Sequence, residues 1–363
     1  MEEKIGKVIL DTTCYPGKDL YSDGAIEDEM LAISRDFAPE EFNRVISERK
    51  SWPILYHFSH IRENILSWIP FTGEEKVLEI GSGCGAVTGA LCERVKEVTC
   101  IELSMKRSKI NAYRHQDQDN LKILVGNFQE IEKNLTEKYD YITLIGVFEY
   151  GESYIRSENP YVDFLRIISK HLKPDGKIIL AIENRLGLKY FAGAPEDHTD
   201  LHFFGINGYP GNQSVRTFSK NELGELLENS GFPFLRFYYP YPDYKFPTEI
   251  FTDESLYTNS YGRSYPVYTD KTADLFAESE GVKAFEKEKI LDSFVNSFLV
   301  EAGRTENQDP EEILYVKLNQ ERKEKFRLLT RIVRENGEVR AEKEAMVPQA
   351  EEFVEKLEKT GTE

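Results

Sequence analysis

Cysteine is scarce in this chain, with four in 363 residues at positions 14, 84, 92 and 100. None forms a C-x-x-C pair or a metal-ligand spacing, so no metal is expected. The last three fall in predicted core, where cysteine serves as a small hydrophobe. No apolar run reaches 18 residues, and the start, MEEKIGKVIL, is too charged and short for a signal peptide. The reading is a cytoplasmic protein with no membrane insertion. Positive charge is also short: 46 Lys and Arg face 64 Asp and Glu, a net charge of −18. Such a surface repels phosphate backbones, and no nucleic-acid partner is expected. There is no internal repeat and no low-complexity block.

The chain is otherwise rich in core-forming residues, 40% hydrophobic and 12% aromatic, and long enough to bury a large core or to hold more than one unit. Its most informative stretch is Val77 to Cys92, VLEIGSGCGAVTGALC. Val77, Leu78 and Ile80 read as a buried strand that also carries Glu79. Gly81, Gly83 and Gly85 then form a turn, and Val87, Ala90 and Leu91 open a helix. Bare backbone in such a turn admits a nucleotide-like ligand. Gly81, Gly83 and Ala86 fit the dinucleotide fingerprint of NAD enzymes. Glu79, two residues before the first glycine in the pattern E-x-G-x-G-x-G, pulls away from that reading. Glu102, at the end of the strand Val98 to Leu103, suits the ribose of either ligand. Farther on, LKPDGK leads into an apolar strand, Ile178 to Ile182.

Five landmarks in order resemble the class I S-adenosylmethionine-dependent methyltransferases over roughly Thr72 to Gly303: VLEIGSGCG, VTCIEL, LVGNFQEI, YDYITLIGVFEY and LKPDGKIILAIEN. The resemblance implies a Rossmann-like α/β fold, a seven-stranded sheet with helices on both faces. It implies S-adenosyl-L-methionine as cofactor, held by Glu79, Gly81, Ser82, Gly83, Gly85, Glu102, Leu103, Asn127, Phe128 and Gly146. Glu102 would take the ribose hydroxyls, and Glu79 would orient the turn through the ligand's ammonium group. Asn127 stands where the family usually has Asp; its amide offers a donor and an acceptor to the adenine edge. Phe128 would cover the adenine or else be a core aromatic.

Methyl transfer needs an aligned nucleophile in a water-poor site and, for an oxygen nucleophile, a base. Residues 183–210, ENRLGLKYFAGAPEDHTDLHFFGINGYP, follow the fifth strand and are too polar and glycine-rich for core. His198 is the first candidate base, because imidazole titrates near neutral pH. Asp197 or Glu196 would orient it, and Glu149 is the alternative base. Asn184, Arg185 and Tyr190 are candidate substrate-binding residues, with Arg185 set to meet a carboxylate or phosphate. The ENR-G-KY-GA-EDH string and Arg216-Thr217-Phe218-Ser219 also resemble a bacterial subgroup associated with glycosyltransferases of surface polysaccharide synthesis. That resemblance implies O-methylation of a glycan, sugar or other small-molecule hydroxyl, or of a glycan phosphate, and a partner in polysaccharide synthesis; the alternatives are an NAD-binding oxidoreductase and a non-catalytic S-adenosylmethionine-binding scaffold domain.

Three regions are expected: an N-terminal helical cap, 1–72, whose start reads as a short strand or hairpin around Lys7 to Leu10; the cofactor-binding core, 73–303; and a small α+β appendage, 304–363. A helix from Trp52 to Ile69, with Ser51 as its cap and Pro53 in its first turn, would partly close the site. Core strands are placed at 77–81, 98–103, 121–125, 139–146, 177–182, 234–239 and, reversed, 297–302. Lys220 to Ser230 reads as a helix capped by Ser219 and Glu222. The insertion at about 241–293 is rich in aromatics, among them Tyr241, Tyr244, Phe246, Phe251, Tyr257, Tyr261, Tyr265 and Tyr268. In the tail, Asn336-Gly337 predicts a two-residue hairpin. The tail faintly resembles the opening strands of a kinase-like lobe without a catalytic loop, so it is read as a docking or dimerising element with no phosphotransfer.

Overall fold

The computed structural model describes residues 2–19, 22, 24–155, 157–211, 215–258, 271–306, 311–320 and 322–360. Strands buried on both faces must be apolar at successive positions, and the central strands obey this rule. In Leu172–Glu183, Ile178, Leu180 and Ile182 enter the core on one face while Ile179 and Ala181 enter the other. The first core packs helix 160–169 against helix 220–229 through Phe164, Leu165, Leu223 and Leu227. The second holds Ile65, Trp68 and Leu91.

In chain order the strands are β1 (Glu2–Ile5), β2 (Val8–Asp11), β3 (Lys76–Ile80), β4 (Glu97–Glu102), β5 (Leu121–Val125), β6 (Tyr139–Ile145), β7 (Leu172–Glu183), β8 (Phe234–Tyr241), β9 (Glu249–Phe251), β10 (Ser297–Gly303), β11 (Glu311–Asn319), β12 (Leu328–Glu335) and β13 (Glu338–Ala345). They form one sheet of 13 strands in the order β1-β2-β5-β4-β3-β6-β7-β10-β8-β9-β11-β12-β13. The strands read from the sequence lie together in the middle, parallel from β5 to β7, with β10 antiparallel between β7 and β8.

The sheet does not stop at seven. Residues 1–72 begin with a hairpin, in line with the short strand or hairpin expected around Lys7 to Leu10, and β2 joins β5 in parallel through Ile9 opposite Lys122. At the other edge, β9 of the insertion pairs with both β8 and β11, and the tail strands continue outward from there. Asn336 and Gly337 take φ of 51° and 85°, the left-handed pair that a two-residue hairpin between β12 and β13 requires.

The helical pattern of Trp52 to Ile69 is broken. Helix 52–58 ends at Ser59, whose extended backbone starts a 3₁₀ turn, 60–65, and whose hydroxyl accepts the Ile61 N–H at 3.3 Å. Ser51 makes no side-chain cap bond. The Ser219 and Glu222 capping box is formed in helix 220–229. Helices 26–36, 42–49 and 52–58 build a third core in which Met30, Phe42, Ile54 and Phe58 pack on Cys84 and Ile110. That core seats the N-terminal helices on the glycine turn. No helix among the described residues is long and apolar enough to cross a membrane.

Candidate active site

β3, β4, β6 and β7 run parallel, so their carboxyl ends meet at one edge, where ligands of open α/β sheets bind. β3 delivers the glycine turn, β4 ends on Glu102, Gly146 follows β6, and β7 ends on Glu183.

The three glycines of the turn have different reasons to be there. Gly81, Gly83 and Gly85 take φ of 72°, 53° and 75°. A Cβ on Gly81 would lie 2.5 Å from Val147, and one on Gly85 2.3 Å from Asn111. A Cβ on Gly83 would meet nothing within 4 Å. Gly83 faces a cavity of about 100 Å³ lined by Glu79 to Cys84, Arg107 and Gly146 below and by Tyr56, His57 and Arg62 of the N-terminal helices above.

Two buried carboxylates shape this cradle. Glu102 accepts the Gly83 N–H with one oxygen and the Ser104 N–H with the other, both at 2.8 Å, which clamps the turn to β4. Each oxygen has a second lone pair for a ribose hydroxyl. Glu79 accepts from the Thr88 hydroxyl at 2.7 Å and the Cys100 thiol at 3.2 Å. Burial pushes its carboxyl up to about 7 against those bonds. Above it, Arg62 is 3% exposed and donates to Lys245 O and the Tyr56 hydroxyl, yet its Nε–H has no partner among the described residues. A sulfonium amino acid fits this set: its carboxylate suits the Arg62 Nε–H, its ammonium suits Glu79, and its chain passes the bare face of Gly83.

The adenine end differs from expectation. Phe128 is buried in the first core, edge-on to Phe164 at 5.2 Å, so it does not cover a ligand ring. Its place at the start of helix 128–131 turns it inward. Asn127 spends its side-chain oxygen capping that helix, on the Gln129 N–H at 2.8 Å. Leu103 is half-buried beyond Glu102. Gly85, Glu102, Leu103, Asn127 and Phe128 do not line the cavity, whereas Glu79, Gly81, Ser82, Gly83 and Gly146 do.

A second, charged cluster lies next to the cavity. Tyr244 joins the two: its hydroxyl is 2.8 Å from where a Gly146 Cβ would stand and donates to Glu183 Oε1 at 3.2 Å. Lys245 bonds to the same Glu183 oxygen and reaches Asp197 at 2.9 Å. Lys189 meets Asp197 at 2.8 Å, and the Tyr190 hydroxyl donates to it. The two lysines hold the Asp197 carboxyl well below its usual range although burial acts the other way. Asp197 therefore does not orient His198. Glu196 does, with Oε1 2.9 Å from His198 Nδ1 and Oε2 held by the Thr199 N–H and hydroxyl. His198 Nε2 faces Glu149 Oε1 at 3.6 Å. Burial alone would lower the imidazole pKa, but Glu183, Glu149 and Glu196 together hold it well above the usual value. Burial raises the Glu149 carboxyl. Glu149 Oε2 and Glu183 Oε2 are buried without a hydrogen-bond partner among the described residues.

Asn184 and Arg185 serve the scaffold instead of a substrate. Asn184 donates to Ser293 O and Val295 O and accepts the Leu186 N–H, clipping β7 to the segment before β10. Arg185 makes a two-pronged pair with Glu222 at 2.6 and 3.0 Å, and Glu222 is the carboxylate of the capping box. A carboxylate already fixed at a helix start is a ready partner for a nearby guanidinium. The aromatics of the insertion divide: Phe251 enters the first core, Tyr257 bonds Asp292, and Tyr244 enters the site. Tyr261, Tyr265 and Tyr268 lie outside the described residues. Arg62, Arg107, Lys189 and Lys245 escaped the sequence reading. The one local signal was for Lys189, which lies inside the ENR-G-KY-GA-EDH string.

Residues 56–235 match the family model described as a methyltransferase domain. A ribosomal RNA small subunit methyltransferase A of Borreliella burgdorferi is 32% identical over 100 residues, 27% of this chain and 36% of that protein. This chain therefore matches about a third of that relative's length. An uncharacterized methyltransferase of Staphylococcus carnosus is 26% identical over 153 residues, covering 42% of this chain and 67% of that protein. A crystal structure of a SAM-dependent methyltransferase from Archaeoglobus fulgidus aligns at a TM-score of 0.43 and 15% identity, over 70% of this chain and 100% of that one. Over residues 56–235 the chain matches the methyltransferase-domain family, and the cofactor that goes with it is S-adenosyl-L-methionine.

Proposed function

We propose that this chain transfers the methyl group of S-adenosyl-L-methionine to a hydroxyl of a small molecule, sugar or glycan, at the charged cluster beside Gly146. The observation that carries this reading is the pair of partnerless buried oxygens, Glu149 Oε2 and Glu183 Oε2. A buried acceptor without a donor costs about 1–3 kcal/mol, and an entering hydroxyl supplies the donor. Both ring nitrogens of His198 already face carboxylates, so the base role passes from His198 to the carboxylates. In the reaction the acceptor O–H gives its proton to Glu149 or Glu183. The new O–CH₃ bond forms as the S–CH₃ bond breaks, leaving a methyl ether and S-adenosylhomocysteine.

Glu183, Lys189, Tyr190, Asp197 and His198 all come from the string that resembles the polysaccharide-associated subgroup, which supports a sugar acceptor and a partner in polysaccharide synthesis. The substrate in the Borreliella relative's name is not carried over. The net charge of −18 opposes binding of RNA.

Calorimetry with S-adenosylmethionine and S-adenosylhomocysteine, with NAD as control, tests the cofactor half. A panel of sugar nucleotides and glycans, read by S-adenosylhomocysteine release, tests the acceptor half. Binding of both sulfur ligands with turnover of a hydroxylated acceptor is expected. Binding of NAD alone would overturn the proposal. Cofactor binding without turnover on any acceptor would point to a scaffold.

A further inference from the structure

We infer that Glu149, Glu183 and His198 form the binding site of one divalent transition-metal ion. The inference rests on the reading of this cluster as the acceptor end of the site. One ligand atom from each residue lies within 4.8 Å of the others. In a site with bonds of about 2.1 Å, neighbouring ligand atoms stand roughly 3–3.5 Å apart. The His198 Nε2 to Glu149 Oε1 separation, 3.6 Å, is already near that value.

Two further observations point to a missing cation. Glu149 Oε2 and Glu183 Oε2 have no partner, although Glu149 is 1% and Glu183 0% exposed. His198 is also held as a metal-ligating imidazole is held. Its Nδ1 is bound to the Glu196 carboxylate, Glu196 is fixed by Thr199, and Nε2 is left facing the gap.

The surrounding charge leaves room for an ion. The carboxylates of Glu149, Glu183, Glu196, Asp197 and Asp243 meet two lysines, Lys189 and Lys245. Lys245 occupies Glu183 Oε1, so an ion would reach Glu183 through Oε2. The ring proton facing Glu149 is the ion's competitor for the same gap. One imidazole with two carboxylates suits manganese, iron or zinc better than a hard all-oxygen site for magnesium. The ion would hold the acceptor oxygen for in-line attack; with both Glu183 oxygens engaged, the acceptor proton goes to Glu149, and the S–CH₃ and O–CH₃ bond changes stay as given above.

The test uses Mn²⁺ on chelator-treated full-length protein, followed by electron paramagnetic resonance. One ion per chain is expected, with echo modulation from an imidazole nitrogen. Glu149→Gln and His198→Gln should each weaken Mn²⁺ binding at least tenfold. Glu196→Gln, a change at a positioning residue, should weaken it about tenfold with the stoichiometry kept. Glu132→Gln, whose carboxylate faces His171 elsewhere, should change nothing. S-adenosylmethionine binding is measured on every preparation as proof of folding. No saturable Mn²⁺ binding, no nitrogen modulation, or binding indifferent to these variants would overturn the metal site while cofactor binding persists. Loss of cofactor binding in the unaltered protein would instead overturn the reading of the site as a whole.

Discussion

The cofactor cradle and the charged cluster lie side by side but are built in opposite ways. The floor of the cradle comes from one stretch, Glu79 to Cys84, clamped by Glu102 from the next strand. Much of its recognition surface is backbone. The cluster draws single side chains from three separate places: the turn after β6, the end of β7 with its following loop, and the insertion at Tyr244 and Lys245. Its recognition surface is charge. A change in the cradle should therefore act through shape, and a change in the cluster through unbalanced charge.

The largest expected effect tests the first half of that contrast. Gly83→Val should abolish S-adenosylmethionine binding in calorimetry, because the side chain would fill open cavity. Its φ of 53° adds about 1–2 kcal/mol of backbone strain, so the fold should survive with a lowered melting temperature. Retained affinity would break the comparison. Next, Lys245→Met leaves Glu183 and Asp197 without the cation between them. Breaking such a buried pair costs about 3–5 kcal/mol. Thermal melting should show this loss, and turnover should disappear. If the chain still folds, its cofactor affinity should change far less than in Gly83→Val.

Arg62→Met tests a charge in the cradle's roof. S-adenosylmethionine affinity should fall about tenfold, the size of one charge-assisted bond. Decarboxylated S-adenosylmethionine should show no such difference between the two proteins. The smallest effect is a pH dependence. Glu79, pushed up to about 7 by burial, is protonated in much of the ligand-free protein near neutrality. A bound ammonium favours its ionised form, so cofactor affinity should rise with pH up to about 7 and then level off. The folded chain keeps this proton where the unfolded chain, with an ordinary value of 4.5, has lost it. The stability Glu79 contributes is thus full below 4.5 and lost as pH rises through about 7. Glu79→Gln should flatten both curves, and an unchanged affinity profile would sever Glu79 from the ammonium.

The same division explains what could be read before the fold was in hand. Gly81, Gly83, Gly85 and Glu102 were legible because strand, turn and acid follow each other at short spacing and the turn demands left-handed backbone. The Ser219 and Glu222 cap and the Asn336-Gly337 hairpin were legible for the same reason. Phe128 left two readings open, and only packing against Phe164 decided for the core. Arg185 looked available until Glu222, 37 positions away, took both its prongs.

The amino-acid sequence by itself determined the central strands, the glycine turn and the polar loop that follows β7. Those are properties of neighbouring residues and of local backbone geometry. Only the tertiary structure decided that strands from both ends extend the sheet, that Arg62 roofs the cradle, and that Tyr244 and Lys245 reach Glu183 from 61 and 62 residues away. Burial makes those distant charges depend on one another. Which carboxylate pairs with which lysine depends on three-dimensional proximity, which spacing along the chain does not encode.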